Sequence, residues 1–374
     1  MKNSKVHIVQ IIQSLTISSG VTTFVSEIAS EQRHLQENVS VCCQWHPDLT
    51  IPGITVHTSP DISSVLCNIL HSRTSECYGD DCKQVVHIHG IWSYYCLNAM
   101  RWCHHHNIPY IISPHGGLMP RVFSKGRIKK FIFFHFFLKP LLKNASMIHC
   151  TSEAEVAACK SLGFSGPYVI APLGVKLPEL NKVVEVSGYV KRVQTILFLG
   201  RLGEEKGLLN LLSAWKRLHA EAYGQEWVLK LAGPDWLDYK KKLLDKIESE
   251  QITGIEFTGP ADDELKDHLY READIFVLPS PMENFSMVVL DALAYGVPTI
   301  ATKGTPWEEL ESERCGLWID QGDEALFQAL SRLMKLNDAE RKQLGANGRM
   351  LAALKYQWPA ITKKILTAYK EICC

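Results

Sequence analysis

The run FLGRLGEEKG, Phe198 to Gly207, carries Arg201 and Lys206 just after an apolar stretch that ends at Gly200. A guanidinium offers a planar fork of donors and an ammonium a point charge, a pair suited to gripping a diphosphate. Neither phosphate fingerprint is present, since G-x-x-x-x-G-K-[ST] and G-x-G-x-x-G are both missing here. Taken alone, the two cations read equally well as a solvated surface pair. Further along, PSPMENFSMVVLDALAYG places carboxylates at Glu283 and Asp291 with no base between them. A helix is expected to begin at Asn284 or Phe285 and to stop at Gly296, a residue suited to a carboxyl-terminal cap. The N–H groups of Phe285, Ser286 and Met287 then point out of the first turn, where an anion is welcome. Asp291 follows roughly 7–8 Å along the axis, at 1.5 Å per residue. An elongated ligand with hydroxyls at both ends and a diphosphate in the middle fits this arrangement. A nucleotide sugar is such a ligand, with its sugar on Glu283, its diphosphate on the helix start with Arg201 and Lys206, and its ribose diol on Asp291. No D-x-D occurs, so a metal is not expected to hold the diphosphate.

These groups need strands and helices to aim them. VHIVQII, VSVCCQW, QVVHIHG, PYIISPH, ASMIHCTS and YVIAPLG read as strands in the first half, with helical stretches from Gly20 to Leu35 and Ser93 to His106. A polar interval, PELNKVVEVSGY, follows, and then the alternation restarts with TILFLG, WVLKLAG, IEFTG, DIFVLPS and VPTIAT. Between the first two of these, apolar residues at Leu208, Leu211, Leu212, Trp215 and Leu218 recur at helix spacing. Strand–helix alternation predicts parallel sheets. The fold class is therefore α/β, two Rossmann-like domains facing a cleft, with the chemistry in loops beyond the carboxyl ends of the strands.

Composition removes several classes of function. The chain has 374 residues, enough for two domains, and its 40 Lys plus Arg balance its 40 Asp plus Glu. A nucleic-acid partner is not expected without a basic excess. The opening MKNSKVHIVQIIQSL is interrupted by His7, Gln10 and Gln13 and reads as a first strand, not an export signal, and no spanning segment appears. The 12 cysteines include no C-x-x-C pair, so they read as buried or incidental thiols of a reducing compartment. The cluster CHHHN, Cys103 to Asn107, reads as a helix end favoured by the dipole, since consecutive helical residues point in different directions.

The motifs GRLGEEKG, LAGPD, FTGPADDELKDHLYREADIFVLPS, ENFSMVVLDALAYGVPTIAT and KGTPWEEL…CGLW resemble the retaining glycosyltransferases of family four, which have the GT-B fold. That family's E-x7-E signature falls on Glu283 and position 291, where this chain has Asp291, one methylene shorter. A longer or water-bridged ribose contact is expected there. QSLTISSGVTTFVSEIA is similar to the family's glycine-rich first loop, with Ser19 and Gly20 open enough for a ligand to approach. HIHGIW and ISPHGGL are similar to two further loops, and His115 matches the histidine that contacts the donor sugar. His89 reads either as a ligand or as a histidine packed beneath it.

The resemblance implies an acceptor-side domain over residues 1–178, a nucleotide-sugar-binding domain over 190–355, and a last helix, 356–374, that packs back on the first. It implies a metal-independent transfer with retention, in which a donor phosphate oxygen takes the acceptor proton while Arg201 and Lys206 hold the leaving diphosphate. It leans to a uridine diphosphate sugar and to surface polysaccharide or O-antigen synthesis, with no cofactor beyond the donor itself. A guanosine diphosphate sugar, a related epimerase or phosphorylase, and a binding protein without turnover stay open. One peculiarity remains. In RVFSKGRIKKFIFFHFFLKPLLKNA, the cations Arg121, Lys125, Arg127, Lys129, Lys130, Lys139 and Lys143 flank the aromatic block Phe131 to Phe137. It reads either as a core helix with a solvated edge or as a surface that docks a cytoplasmic enzyme on anionic lipid. The second would suit a lipid-linked acceptor.

Overall fold

The computed structural model describes residues 6–16, 19–45, 50–71, 83–124, 127–179 and 193–373, in two compact units. One unit comprises Met1–Gly174 and Trp358–Cys374, the other Val175–Gln357. Most of the polar interval expected to join the domains, residues 180–192, lies outside the described residues, as do Lys125 and the side chains of Arg121, Arg127 and Lys129.

The first unit holds a seven-stranded sheet of β1 (Val6–Ile12), β2 (Asn38–Cys43), β3 (Thr55–Thr58), β4 (Lys83–His89), β5 (Tyr110–Ser113), β6 (Met147–Cys150) and β7 (Tyr168–Ile170). Its order is β3-β2-β1-β4-β5-β6-β7, parallel throughout. Every residue of β1 is buried, as expected of strands covered on both faces. The helix Gly20–His34 buries Phe24, Val25, Ile28 and Gln32, one stripe at helical spacing. The last helix, Trp358–Ile372, belongs to this unit and packs on that same helix. A side chain at Gly174 would fall 2.4 Å from the Trp358 ring, so the indole closes directly over bare backbone. The sequence reading missed β3, a four-residue edge strand with no buried position to give it a pattern.

One feature of this unit follows expectation and another revises it. The histidine cluster ends the helix Tyr94–His105, and His106 stacks on Trp102 at 4.1 Å. The Phe-rich segment is not one helix. It runs as Pro120–Ser124, Arg127–Phe133, a π-helical turn Phe134–Leu138, and Lys139–Lys143. Pro140 cannot donate to the preceding turn and its ring crowds the carbonyl there, so the turn before it widens. The Lys139 N–H accordingly bonds the Phe134 carbonyl, five residues back. The extra residue breaks the stripe and divides the aromatics: Phe134 and Leu138 are buried, while Phe131, Phe136 and Phe137 are exposed.

The second unit holds a six-stranded parallel sheet of β8 (Gln194–Leu199), β9 (Trp227–Ala232), β10 (Ile255–Gly259), β11 (Ile275–Leu278), β12 (Thr299–Thr302) and β13 (Gly316–Ile319), of which β13 was not foreseen. Its order is β10-β9-β8-β11-β12-β13. Leu208, Leu211, Leu212, Trp215 and Leu218 are all buried on the helix Leu208–Ala220, as their spacing requires. In this order the winding reverses between β8 and β11. A ligand crevice belongs at such a reversal, beyond the carboxyl ends of the strands.

Candidate functional site

The two loops that part at the β8/β11 reversal are Gly200–Gly207 and Pro279–Ser286, the loops that carry the candidate residues. The first closes in a short 3-10 turn, Glu204–Lys206, and hands over to the helix Leu208–Ala220 at Gly207. Gly207 has φ +69°, and a Cβ there would lie 2.2 Å from the Pro279 carbonyl oxygen. Only glycine lets the two loops touch at that point. The contact positions Lys206 against the second loop. Its Nζ lies 2.5 Å from Glu283 Oε1, with the two side chains 14% and 16% exposed.

Arg201, on the same first loop, is exposed, lies over the Trp236 ring at 4.8 Å, and has a nitrogen 3.5 Å from Glu205 Oε1. Glu283 is fixed from behind by its own N–H, which donates to the Gly304 carbonyl at 2.9 Å. Lys206 and Glu283 thus meet at the switch point, and Arg201 lies on the same loop beside Glu205. Asn284 follows directly, and Phe285 is buried with its ring 5.1 Å from that of Trp307.

The helix after this loop starts later than the sequence suggested. It spans Met287–Ala294, with Ser286 before it at φ +75°, so Asn284 and Phe285 stay outside. Burial of Phe285 against Trp307 and Tyr356, with the Trp307 indole N–H donating to the Phe285 carbonyl, holds those residues in an irregular turn. Ser286, a non-glycine residue in the left-handed region, stores strain of the kind concentrated at ligand sites. The Met287 and Val288 amides that open the helix have no intrahelical acceptor, while the Val289 N–H donates to the Ser286 carbonyl at 3.2 Å. Asp291 sits on this helix, half-buried, and burial pushes its carboxyl up to about 7, against the opposing pull of Lys266. A separate cavity of about 590 Å³ opens at the other end of this sheet, lined by Gln194, Arg271, Asp274 and Arg341. It sits at the amino ends of the strands, away from the loops that carry the candidate residues.

The first unit repeats the plan. Its winding reverses between β1 and β4, and the loop after β1 leads through Ser19 into the helix at Gly20. A Cβ built on Gly20 meets nothing within 4 Å, so there is room beside the backbone at that position. His115 follows β5 in the left-handed region at φ +48°. The Gly116 N–H after it donates to Glu155 Oε1 at 2.5 Å, and the Glu155 carboxylate also takes the Thr151 N–H. His115 Nε2 lies 3.0 Å from His89 Nδ1, and His89 Nε2 lies 2.7 Å from Gln10 Oε1. His89 therefore supports His115 from the interior. Burial lowers His115 to about 3, with His149 adding to the effect, and holds His87 and His89 well below their ordinary value.

Sequence reasoning missed Gln10, His87, His149 and Tyr369 as partners of this site. The signal was there: each of the first three is a polar residue flanked by buried apolar ones within a strand. Among the described residues no group of three His, Cys, Asp or Glu side chains is arranged to hold a metal ion, and no helix is long and apolar enough to cross a membrane.

Comparison with known proteins matches both halves. The family described as glycosyl transferases group 1 matches residues 182–350, and glycosyltransferase family 4 matches residues 18–178. A phosphatidyl-myo-inositol mannosyltransferase of Mycobacterium leprae is 25% identical over 380 aligned positions, 96% of this chain and 95% of that one. O-antigen chain mannosyltransferase B of Escherichia coli is 28% identical over 58% of this chain, which spans 55% of that relative. Among solved structures, Anabaena HepE in complex with UDP superposes with a TM-score of 0.77 at 17% identity, covering 98% of this chain and 100% of that one. Sucrose-phosphate synthase from Thermosynechococcus elongatus gives 0.72 at 18% identity over 98% and 99%. These likenesses establish a GT-B architecture.

Proposed function

We propose, from the premise that this chain belongs to the group 1 glycosyltransferases, that it moves a sugar from a nucleotide-sugar donor to a glycan or lipid-linked acceptor, with retention at the anomeric carbon and without a metal. The observation that carries the reading is the Lys206–Glu283 pair at the strand reversal, with Arg201 on the same loop. An ammonium and a guanidinium hold the diphosphate and stabilise the charge that develops on it as the glycosidic bond breaks. Glu283, partnered by Lys206, takes hydrogen bonds from the donor sugar's hydroxyls and keeps its carboxylate fixed while it does so. Within the first unit, His115 is a neutral imidazole suited to a hydrogen bond with an uncharged sugar. Asp291 accepts from the ribose diol.

A uridine diphosphate sugar is the donor we favour, because structures of Anabaena HepE contain UDP and UDP-glucose. A guanosine diphosphate mannose stays as the second reading, because relatives of this chain are named mannosyltransferases. Surface polysaccharide synthesis is the setting we favour, supported by relatives named for O-antigen and lipopolysaccharide transfer.

Exposed Ile128, Phe131, Ile132, Phe136 and Phe137, with Lys143 exposed at the end of the same segment, support a peripheral contact with anionic lipid. A lone large apolar side chain on a surface is ordinary, but five within ten residues form a patch. The test of the transfer is release of free nucleoside diphosphate that depends on acceptor. A panel of nucleotide sugars in a thermal-shift assay identifies the donor, since binding to the folded state alone raises the transition temperature. Nucleoside diphosphate released at the same rate without any acceptor would overturn the transferase reading.

A further inference from the structure

On one face of the first sheet, Gln10 of β1, His87 and His89 of β4, Ser113 of β5 and His149 of β6 lie side by side. Gln10 is in register with His87, and His89 with Ser113, while His149 is one step past the Ile112–Ile148 pair. All five are buried, as is Tyr369, which reaches them from the last helix. Seven contacts link them in a single line. His149 Nε2 lies 2.7 Å from the Ala171 carbonyl, His149 Nδ1 is 2.6 Å from Ser113 Oγ, and Ser113 Oγ is 2.6 Å from His87 Nε2. His87 Nδ1 is 2.5 Å from Tyr369 Oη, which is 3.2 Å from Gln10 Nε2. Gln10 Oε1 then meets His89 Nε2, and His89 Nδ1 meets His115 Nε2.

The direction of every bond follows from the carbonyl at one end. A carbonyl only accepts, so His149 Nε2 carries the proton and, in a neutral ring, His149 Nδ1 accepts. Ser113 must donate to it, so Ser113 accepts from His87 Nε2. His87 Nδ1 is then an acceptor and takes the Tyr369 hydroxyl proton. Tyr369 in turn accepts from the Gln10 amide nitrogen, which turns the Gln10 oxygen toward His89. His89 Nε2 donates to that oxygen, leaving His89 Nδ1 to accept from His115 Nε2.

We propose that this buried chain fixes His115 as the Nε2–H tautomer, so that its Nδ1 is held as a lone-pair acceptor, and that Gln10, His89, Ser113, His87, His149 and Tyr369 are its positioning residues. No proton moves along the line; it sets orientation only. Burial keeps the rings of the chain neutral, and charging His87, His89 or His149 would also put two donors face to face in a dry interior. The amide orientation of Gln10 is required by the chain and is further held by its nitrogen 2.9 Å from Gln32 Oε1. The consequence for specificity rests on the proposed function: an acceptor nitrogen selects a donor sugar that presents a hydroxyl to His115. A carboxylate or carbonyl oxygen at that position is disfavoured, because two acceptors would meet.

Nitrogen-15 spectra of protein labelled at histidine, at pH 7 and without substrate, read the tautomer directly and do not depend on what the enzyme transfers. The expected result is one tautomer for His115, with Nε2 protonated and Nδ1 bare, and the same for His87, His89 and His149. Tyr369→Phe removes the central hydroxyl with little change of volume, and Ser113→Ala cuts the line elsewhere. In either variant, with its thermal transition retained, His115 should become a mixture of tautomers. Donors deoxygenated one hydroxyl at a time then give the functional arm: the penalty at one position, about tenfold or more in Kd, should vanish in His115→Ala. His115 protonated on Nδ1 in the wild type, or a His115 signal unchanged in both variants, would overturn the proposal. A correct tautomer with no such position among the donors would leave the relay standing and remove the role assigned to His115 in the transfer.

Discussion

Lys206 Nζ lies 2.5 Å from Glu283 Oε1, so two residues that are 77 positions apart and sit on different motifs act as one unit. Each holds the other at the strand reversal. Glu283→Ala should lower turnover at least about a hundredfold, or roughly 2.7 kcal/mol, with the fold retained. Lys206→Met should cost a similar factor. Because both remove the same ion pair, the double variant should fall well short of the product of the two losses. Steady-state rates of the four proteins decide it, and near-normal turnover in Glu283→Ala would sink the assignment.

Asp291 carries a pH signature. Its folded value of about 7 lies above the ordinary carboxylate value, so folding favours the protonated acid. The stability this contributes is full below about pH 4 and is lost as pH rises through about 7. Asp291→Asn keeps the neutral group, so its thermal transition should gain on the wild type between pH 5 and pH 8. If the ionised form accepts the ribose diol, wild-type affinity for a nucleoside diphosphate should rise over the same range. The Asn variant should lose that rise, and Asp291→Glu should bind at least as well as the wild type. Unchanged nucleotide binding in Asp291→Ala leaves position 291 an ordinary helix residue.

The histidines of the first unit predict acid lability. His115 is lowered to about 3 and His149 to about 4 by burial, while the unfolded chain takes its proton near 6.5. A depressed folded value means the contribution is complete above about pH 6.5 and is lost as pH falls toward 4. Each histidine charged only in the unfolded chain adds a slope of about 1.4 kcal/mol per pH unit. Calorimetry from pH 7 to pH 5 should show a steep drop and proton uptake of several equivalents on unfolding. Uptake near zero at pH 5 would mean these rings charge in the folded state.

For the exposed apolar segment, the wild type should float with anionic vesicles at low salt and release at high salt, with roughly 1 kcal/mol for each cation near the surface. Combined Phe131→Ser, Phe136→Ser and Phe137→Ser should abolish flotation without lowering the thermal transition, because all three rings are solvent-exposed. Lys143→Glu should weaken it. Lys130 is a poor choice for charge reversal, since its Nζ donates to the Val122 carbonyl at 2.7 Å and lies 5.8 Å from the Trp92 ring centroid. A wild type that stays at the bottom of the gradient would remove the lipid contact.

Much of this was legible in the residues because the relevant signals are local. A buried parallel strand announces itself as an unbroken apolar run, and the stripe at Leu208, Leu211, Leu212, Trp215 and Leu218 gives a helix directly. The loops carrying Arg201, Lys206 and Glu283 were found because they follow such runs. What stayed hidden depends on contacts far apart in sequence. The start of the helix at Met287 is set by where Phe285 is buried, and the pairing of Lys206 with Glu283 by which two loops flank the reversal. Tyr369 carries no local signal in the sequence, and only the fold brings it 2.5 Å from His87.

The place of that tyrosine has a bearing on how the chain is made. The first unit is discontinuous, closed by Trp358–Cys374, whereas the second is a single stretch, Val175–Gln357. During synthesis domains generally complete in order of emergence. Here the first unit cannot complete in that order, since it waits for its last helix, which follows the whole of the second unit. Until residues 358–372 emerge, the face bearing His87 and Gln10 lacks its cover and the groove over Gly174 lacks Trp358. The amino-terminal half is thus the late folder, and a nascent chain cut short before Tyr369 leaves its polar interior open to water and to chaperones.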